Sequence, residues 1–226
     1  MYRERPSRVP GGVIWSSVSA GDEVRILPDG GMDFLWDGRE IVIAGPDTHA
    51  HLFVGDAGST MIGLRFAPGF APRVLGIPAA EFTDQQVPLD AVWAPEQIRR
   101  AADFVAASES AALALETLAL ESCAPPDDDA ALVEHVVSLA RAGHNSTAIA
   151  DRIGLSTRQL QRRSTAAFGY GAKTLGRILR MQHALALVHR GIRPADSAAR
   201  AGYADQSHLS RDVKEMAGVP LGQLVN

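Results

Sequence analysis

One spacing constrains the C-terminal part of this chain more than any other feature. It is a small residue, a glycine four positions on, and an apolar anchor six beyond that. Ala150, Gly154 and Leu160 supply it. The small residue lets two helices approach, glycine accepts the positive φ of a sharp turn, and leucine anchors the second helix. Ser156 with Gln159 fits a capping box where that second helix begins, and Ser146 fits the cap of the helix before it. The pattern returns at Ala198, Gly202 and Leu209, with Asp205 as cap and a turn one residue longer. Two helix-turn-helix units are therefore predicted.

In the first unit Leu160 points inward, while Thr157, Arg158, Gln161 and Arg162 share the outward side. Gln206, Ser207, His208 and Arg211 take that position in the second, with Lys214 one turn further. Arg bonds bidentately to guanine and Gln to adenine in the major groove, so both faces are expected to read double-stranded DNA. Between the units, Lys173 to His189 carries Leu175, Ile178, Leu179, Ala184, Leu185 and Val188 at helical spacing. Such a helix spans roughly 26 Å, near the separation of about 34 Å between successive major grooves on one DNA face. Lys173, Arg177 and Arg180 on it either hold phosphates or pair within the chain.

The charge is divided in the same sense. From Asp129 onward 13 Lys and Arg stand against 7 Asp and Glu, a balance of +6, while the residues before it hold 9 against 19, a balance of −10. The basic half suits an anionic partner that the acidic half does not share.

The first half reads differently. Gly12–Trp15, Val24–Leu27, Ile41–Ala44, Leu52–Val54 and Met61–Phe66 are short apolar runs cut by Gly, Pro and Asp, which predicts a β-rich barrel or sandwich. Near residue 94 the period becomes helical, opening at Ala94-Pro95-Glu96. Ala124-Pro125-Pro126-Asp127 cannot sit inside a helix and marks a boundary. The expected fold is α+β and multidomain. A β-rich domain over 1–93 is followed by a helical connector and linker over 94–128, then an all-α domain over 129–226.

These residues carry a resemblance. Ile149-Ala150 through Arg162, Gly169-Tyr170-Gly171 through Arg180, and Ala198 through Gly218-Val219-Pro220 together resemble the C-terminal domain of AraC/XylS-type transcriptional regulators. The likeness covers about Leu132 to Val225. It implies seven helices reading two adjacent major-groove segments, with base contacts from Arg158, Gln161, Arg162, Gln206, Ser207, His208 and Arg211. The chain departs from that family at Ser164 (usually aromatic), Ala172 (usually Pro), Val213 (usually Phe) and Ser197 (usually branched and apolar). Such changes weaken packing by about 1–3 kcal/mol each. Leu27 to Asp33, Gly45-Pro46 and Gly63 to Gly69 resemble the small cupin-like β domain that precedes some of these regulators, a domain that senses a ligand or dimerises.

Trp15, Asp33, His49 and His51 are the candidate ligand-binding residues of the β-rich half. Two histidines one apart on a strand would share a face, as in a metal-dependent cupin-type enzyme with an accessory helical domain. That is the alternative reading. Asp33 could add a carboxylate, but histidines 135, 144, 183, 189 and 208 all fall in the helical half, so no complete metal site is expected. No Gly-x-Ser-x-Gly elbow, Walker loop or Gly-x-Gly-x-x-Gly fingerprint occurs, and no catalytic residue or cofactor is assigned. Cys123 is the only cysteine, which excludes an internal disulfide. With no signal peptide and no apolar run near the ~20 residues of a membrane span, a cytoplasmic regulator is expected, with a small-molecule effector or a homodimer as further partners.

Overall fold

The computed structural model of the chain describes residues 1–225. The first half holds eight strands: β1 (Tyr2–Pro6), β2 (Val13–Val18), β3 (Glu23–Ile26), β4 (Asp33–Trp36), β5 (Ile41–Ala44), β6 (His51–Val54), β7 (Thr60–Arg65) and β8 (Gln86–Pro88). Six of them form an antiparallel sheet in the order β1-β2-β7-β4-β5-β8. The register aligns Ile14, Leu64, Phe34 and Ile43 in one row across four strands. Each is at most 5% exposed. Burying such a row is what holds a sheet face in register.

That row packs against helices. α1 (Ala71–Leu75), α2 (Pro95–Ala107) and α3 (Ala111–Ser122) bring Val74, Ala101, Val105, Leu115 and Ala119 into the same core. The segment expected to connect two domains thus packs on the sheet itself.

The expected barrel is not closed. Among the described residues β3 and β6 pair only with each other, as a two-stranded ribbon beside the larger sheet. The apolar row has found its partner in α2 and α3, which leaves little to drive the ribbon onto the sheet. Val24, Leu52 and Val54 on the ribbon accordingly stay exposed. On the opposite sheet face Trp15 lies flat over Gly63, where an added Cβ would meet the indole at 2.1 Å.

The second half is all helical: α4 (Asp128–Arg141), α5 (Ser146–Arg152), α6 (Thr157–Phe168), α7 (Ala172–His189), α8 (Pro194–Arg200), α9 (Gln206–Ala217) and α10 (Leu221–Leu224). Its core centres on α7, whose Leu175, Ile178, Met181 and Ala184 are fully buried among Val136, Ile149, Leu160, Leu209 and Val213. Among the described residues no helix is long and apolar enough to cross a membrane.

A single buried carboxylate fastens β1 to α3. Glu116 has no exposed surface. It accepts bonds from both Arg5 terminal nitrogens at 3.1 Å, and from the Ser7 hydroxyl and the Arg8 N–H at 2.7 Å. Burial alone would raise its pKa, but these hydrogen bonds outweigh burial and hold it below the ordinary value. A depressed carboxylate contributes stability that is complete above its unfolded pKa and is lost as pH falls through the folded one. Glu116→Leu, which strands the Ser7 and Arg8 donors, is expected to cost about 2–4 kcal/mol near pH 7. Denaturant melts of both proteins across an acid series should show that gap narrowing below the ordinary carboxylate range; a gap independent of pH would mean the charge is not what matters.

Candidate nucleic-acid interface

Each recognition helix is started by the cap its sequence predicts. Ser156 accepts from the Gln159 N–H at 3.2 Å while Gln159 Oε1 accepts the Ser156 N–H at 2.9 Å, a complete capping box. In the second unit Asp205 accepts from the His208 N–H at 2.7 Å. One expectation is corrected: α5 is capped by Asn145, whose side chain accepts from the Ala148 N–H, and Ser146 is already inside the helix. Asn145 is itself a strong capping residue one position earlier.

The anchors Leu160 and Leu209 are at most 1% exposed. Opposite them Thr157, Arg158, Gln161 and Arg162 on α6 are exposed, as are Gln206, Ser207 and Arg211 on α9. Gln161 lies back along its own helix, donating to the Thr165 hydroxyl at 3.2 Å, and covers Gly171. His208 is half-buried with its ring edge-on to Tyr203, centroids 5.1 Å apart. Four residues that depart from the family pattern are all buried. Ser197 satisfies its hydroxyl on the Ile192 carbonyl at 3.2 Å, while the Ser164 hydroxyl has no partner among the described residues.

Sequence reasoning left Arg177 and Arg180 open between phosphate contact and internal pairing; the structure gives them internal partners. Asp212 on α9 is 6% exposed and receives Arg177 at 3.0 Å and Arg180 at 2.9 Å. Arg177 also grips Glu215 with two bonds, and the Arg180 guanidinium sits 4.2 Å from the Tyr203 ring centroid. Burial pushes Asp212 up, but the two arginines outweigh it and its pKa is lowered. This tie between α7 and α9 was not legible beforehand, because an isolated Asp in a helix looks like a solvated one. Lys173 remains exposed.

The candidate ligand residues divide into two places. Trp15 Nε1 donates to Asp33 at 2.6 Å, and Arg65 lies 2.8 Å from Asp29 and 3.6 Å from Asp33. Burial is the main force raising Asp33 to about 6, with Arg65 opposing it. His49 precedes β6 rather than sitting on it, so strand alternation does not align it with His51. It is exposed and bonded to the Thr48 hydroxyl, whereas His51 pairs with Asp47 at 3.2 Å. Burial first, then the neighbouring Asp84, Asp29 and Asp33, push Asp47 up to about 7. Among the described residues no three His, Cys, Asp or Glu side chains are grouped so as to hold a metal ion.

If Asp212 seats the second unit, Asp212→Ala should destabilise the helical domain by about 2–3 kcal/mol, since the half-buried Arg180 guanidinium loses its carboxylate and Arg177 keeps only Glu215. Urea unfolding checks this, and a loss of less than about 0.5 kcal/mol would assign the cluster to the weak surface class.

Residues 149–226 match a family model described as a helix-turn-helix domain, and residues 13–88 match one described as Domain of unknown function (DUF6597). No curated protein matches the chain. Among solved structures it is similar to ToxT from Vibrio cholerae in its P21 crystal form, with 12% identity, TM-score 0.48 and coverage of 99% of this chain and 97% of that one. Also similar are ToxT bound to (E)-4-(8-methylnaphthalen-1-yl)but-3-enoic acid, at 12% identity and TM-score 0.49 over 99% and 98% of the two chains, and ToxT bound to an unsaturated fatty acid, at 14% and 0.46 over 92% and 88%. Both capped helices, α6 and α9, and the buried helix α7 they hang on lie within the residues that match the helix-turn-helix domain model.

Proposed function

We propose that α6 and α9 enter two adjacent major-groove segments of one DNA face. In this reading Thr157, Arg158, Gln161 and Arg162 read the first segment, and Gln206, Ser207, His208 and Arg211 the second. One observation carries it: the two helices present exposed polar faces opposite buried leucine anchors, and α7 joins them at a length of about 27 Å. Phosphate contacts supply affinity that falls with salt, whereas base contacts supply sequence choice.

The cleft between the two halves suits an effector. It encloses about 1250 Å³. Arg65, Arg141, Lys173, Arg177 and Arg180 line it against Asp29 and Asp212, an excess of positive charge. An acidic small molecule therefore fits this cleft better than a neutral or basic one. It would touch the sheet domain and α7 together, which is where sensing has to reach DNA reading.

Arg162→Ala is expected to cost about 1–3 kcal/mol on the selected DNA and to relax preference at one base position. Competition binding against single-base variants of the selected duplex reads both quantities. A uniform loss over all duplexes would make Arg162 a phosphate contact, and no loss would remove it from the interface.

A further inference from the structure

One short segment of the N-terminal half touches the carbonyl ends of both recognition helices. At the end of α6, Gly169 takes a positive φ of 82°, and the Thr83 hydroxyl donates to its carbonyl at 3.1 Å. A methyl group on Gly169 would lie 2.5 Å from that hydroxyl and 2.6 Å from Pro46, so the N-terminal half sits directly on the helix end. At the end of α9 the Ala50 N–H donates to the Met216 carbonyl at 2.6 Å, and Arg25 donates to the Ala217 carbonyl at 2.9 Å. Pro46 and Ala50 lie four residues apart and span no more than about 14 Å even when extended. Thr48 between them is pinned to Asp84, next to Thr83, by its N–H at 2.6 Å and its hydroxyl at 2.7 Å.

The mechanical consequence follows from geometry. α7 fixes the distance between the two units, and their packing on it restrains rotation. A second line of contact between the far ends of α6 and α9 adds an independent restraint on their relative orientation. It uses helix carbonyls that have no partner within the helix, and it leaves the N-terminal turns of both helices open.

We infer that Pro46–Ala50, together with Thr83, Asp84 and Arg25, forms a brace that fixes the relative orientation of the two recognition helices and thereby sets the half-site spacing the chain accepts. The inference rests on the reading above that α6 and α9 enter adjacent grooves. Thr83 and Arg25 are positioning residues in it: they act on the helices, away from the exposed faces. His49 lies within this segment, and His51 follows it, paired with Asp47.

The test is binding of the full chain to duplexes carrying its two selected half-sites with base pairs inserted between them. Each insertion shifts one half-site by about 3.4 Å and turns it by about 35°. The unaltered chain should lose affinity about tenfold or more on a single insertion, the scale of a lost base contact. Thr83→Val with Arg25→Met should flatten that dependence to about threefold or less, while binding to a single half-site stays unchanged. Thr83→Ser, which keeps the hydroxyl, should restore the original spacing profile in a chain that retains Arg25. If the double variant fails to fold, Arg25→Met alone carries the comparison with a smaller flattening. A variant with the spacing profile of the unaltered chain would overturn the brace. A chain that selects no bipartite site would overturn the two-groove reading itself.

Discussion

Leu175, Ile178, Met181 and Ala184 form a stripe of fully buried side chains along α7, and both helix-turn-helix units hang from it. Protein interiors pack too densely to let such a helix slide. Because α4, α6, α8 and α9 all pack on α7, the positions of α6 and α9 are set by one rigid element. Asp212 with Arg177 and Arg180 then stops α9 from rolling on it. The proposed reading of two DNA segments depends on that constraint before any base contact is considered.

The helical half was legible because its signals are local. A capping box, a cap Asp, glycine at each sharp turn and leucine at each anchor are written within a few residues of where they act. The bounds of α6 and α9 follow from them, as does α7 from Ala172 to His189. The sheet half was less so. Ile41–Ala44 is a strand as expected, but β1 was missed because it is charged, exposed and pairs with no strand but β2 among the described residues. β4 was missed because its four residues lie between the Gly30-Gly31 and Asp37-Gly38 turns, although it pairs with both β5 and β7. Its Phe34 and Trp36 look aromatic-rich but do not announce a strand by themselves. Of the barrel or sandwich expected, no closed barrel forms among the described residues: β3 and β6 pair only with each other, and helices from later in the chain share the core of the larger sheet.

The candidate site shows the same contrast. Exposed side chains follow from helical period alone, so the exposure of Arg158, Arg162, Gln206 and Arg211 could be read from sequence. Partners that come from elsewhere in the chain could not. Asp212 gives no sequence sign of its two arginines, and His49 and His51 look like a strand pair until the turn before β6 separates them. The acidic half, which composition sets apart from the basic one, proves to be bonded to the ends of both recognition helices and to enclose a cleft with α7. In the proposed function, that arrangement gives the N-terminal half a physical route to DNA reading through the helix ends.

The most direct test of the central claim is selection of duplexes by the full chain from a random library, sequenced after washing at low and at moderate salt. Two recognition helices on one rod predict a bipartite motif that survives the higher salt, its two parts centred about one helical turn apart. A single uninterrupted motif would leave only one of the two helices as a reader. Salt-sensitive retention with no enriched motif would contradict sequence reading by either.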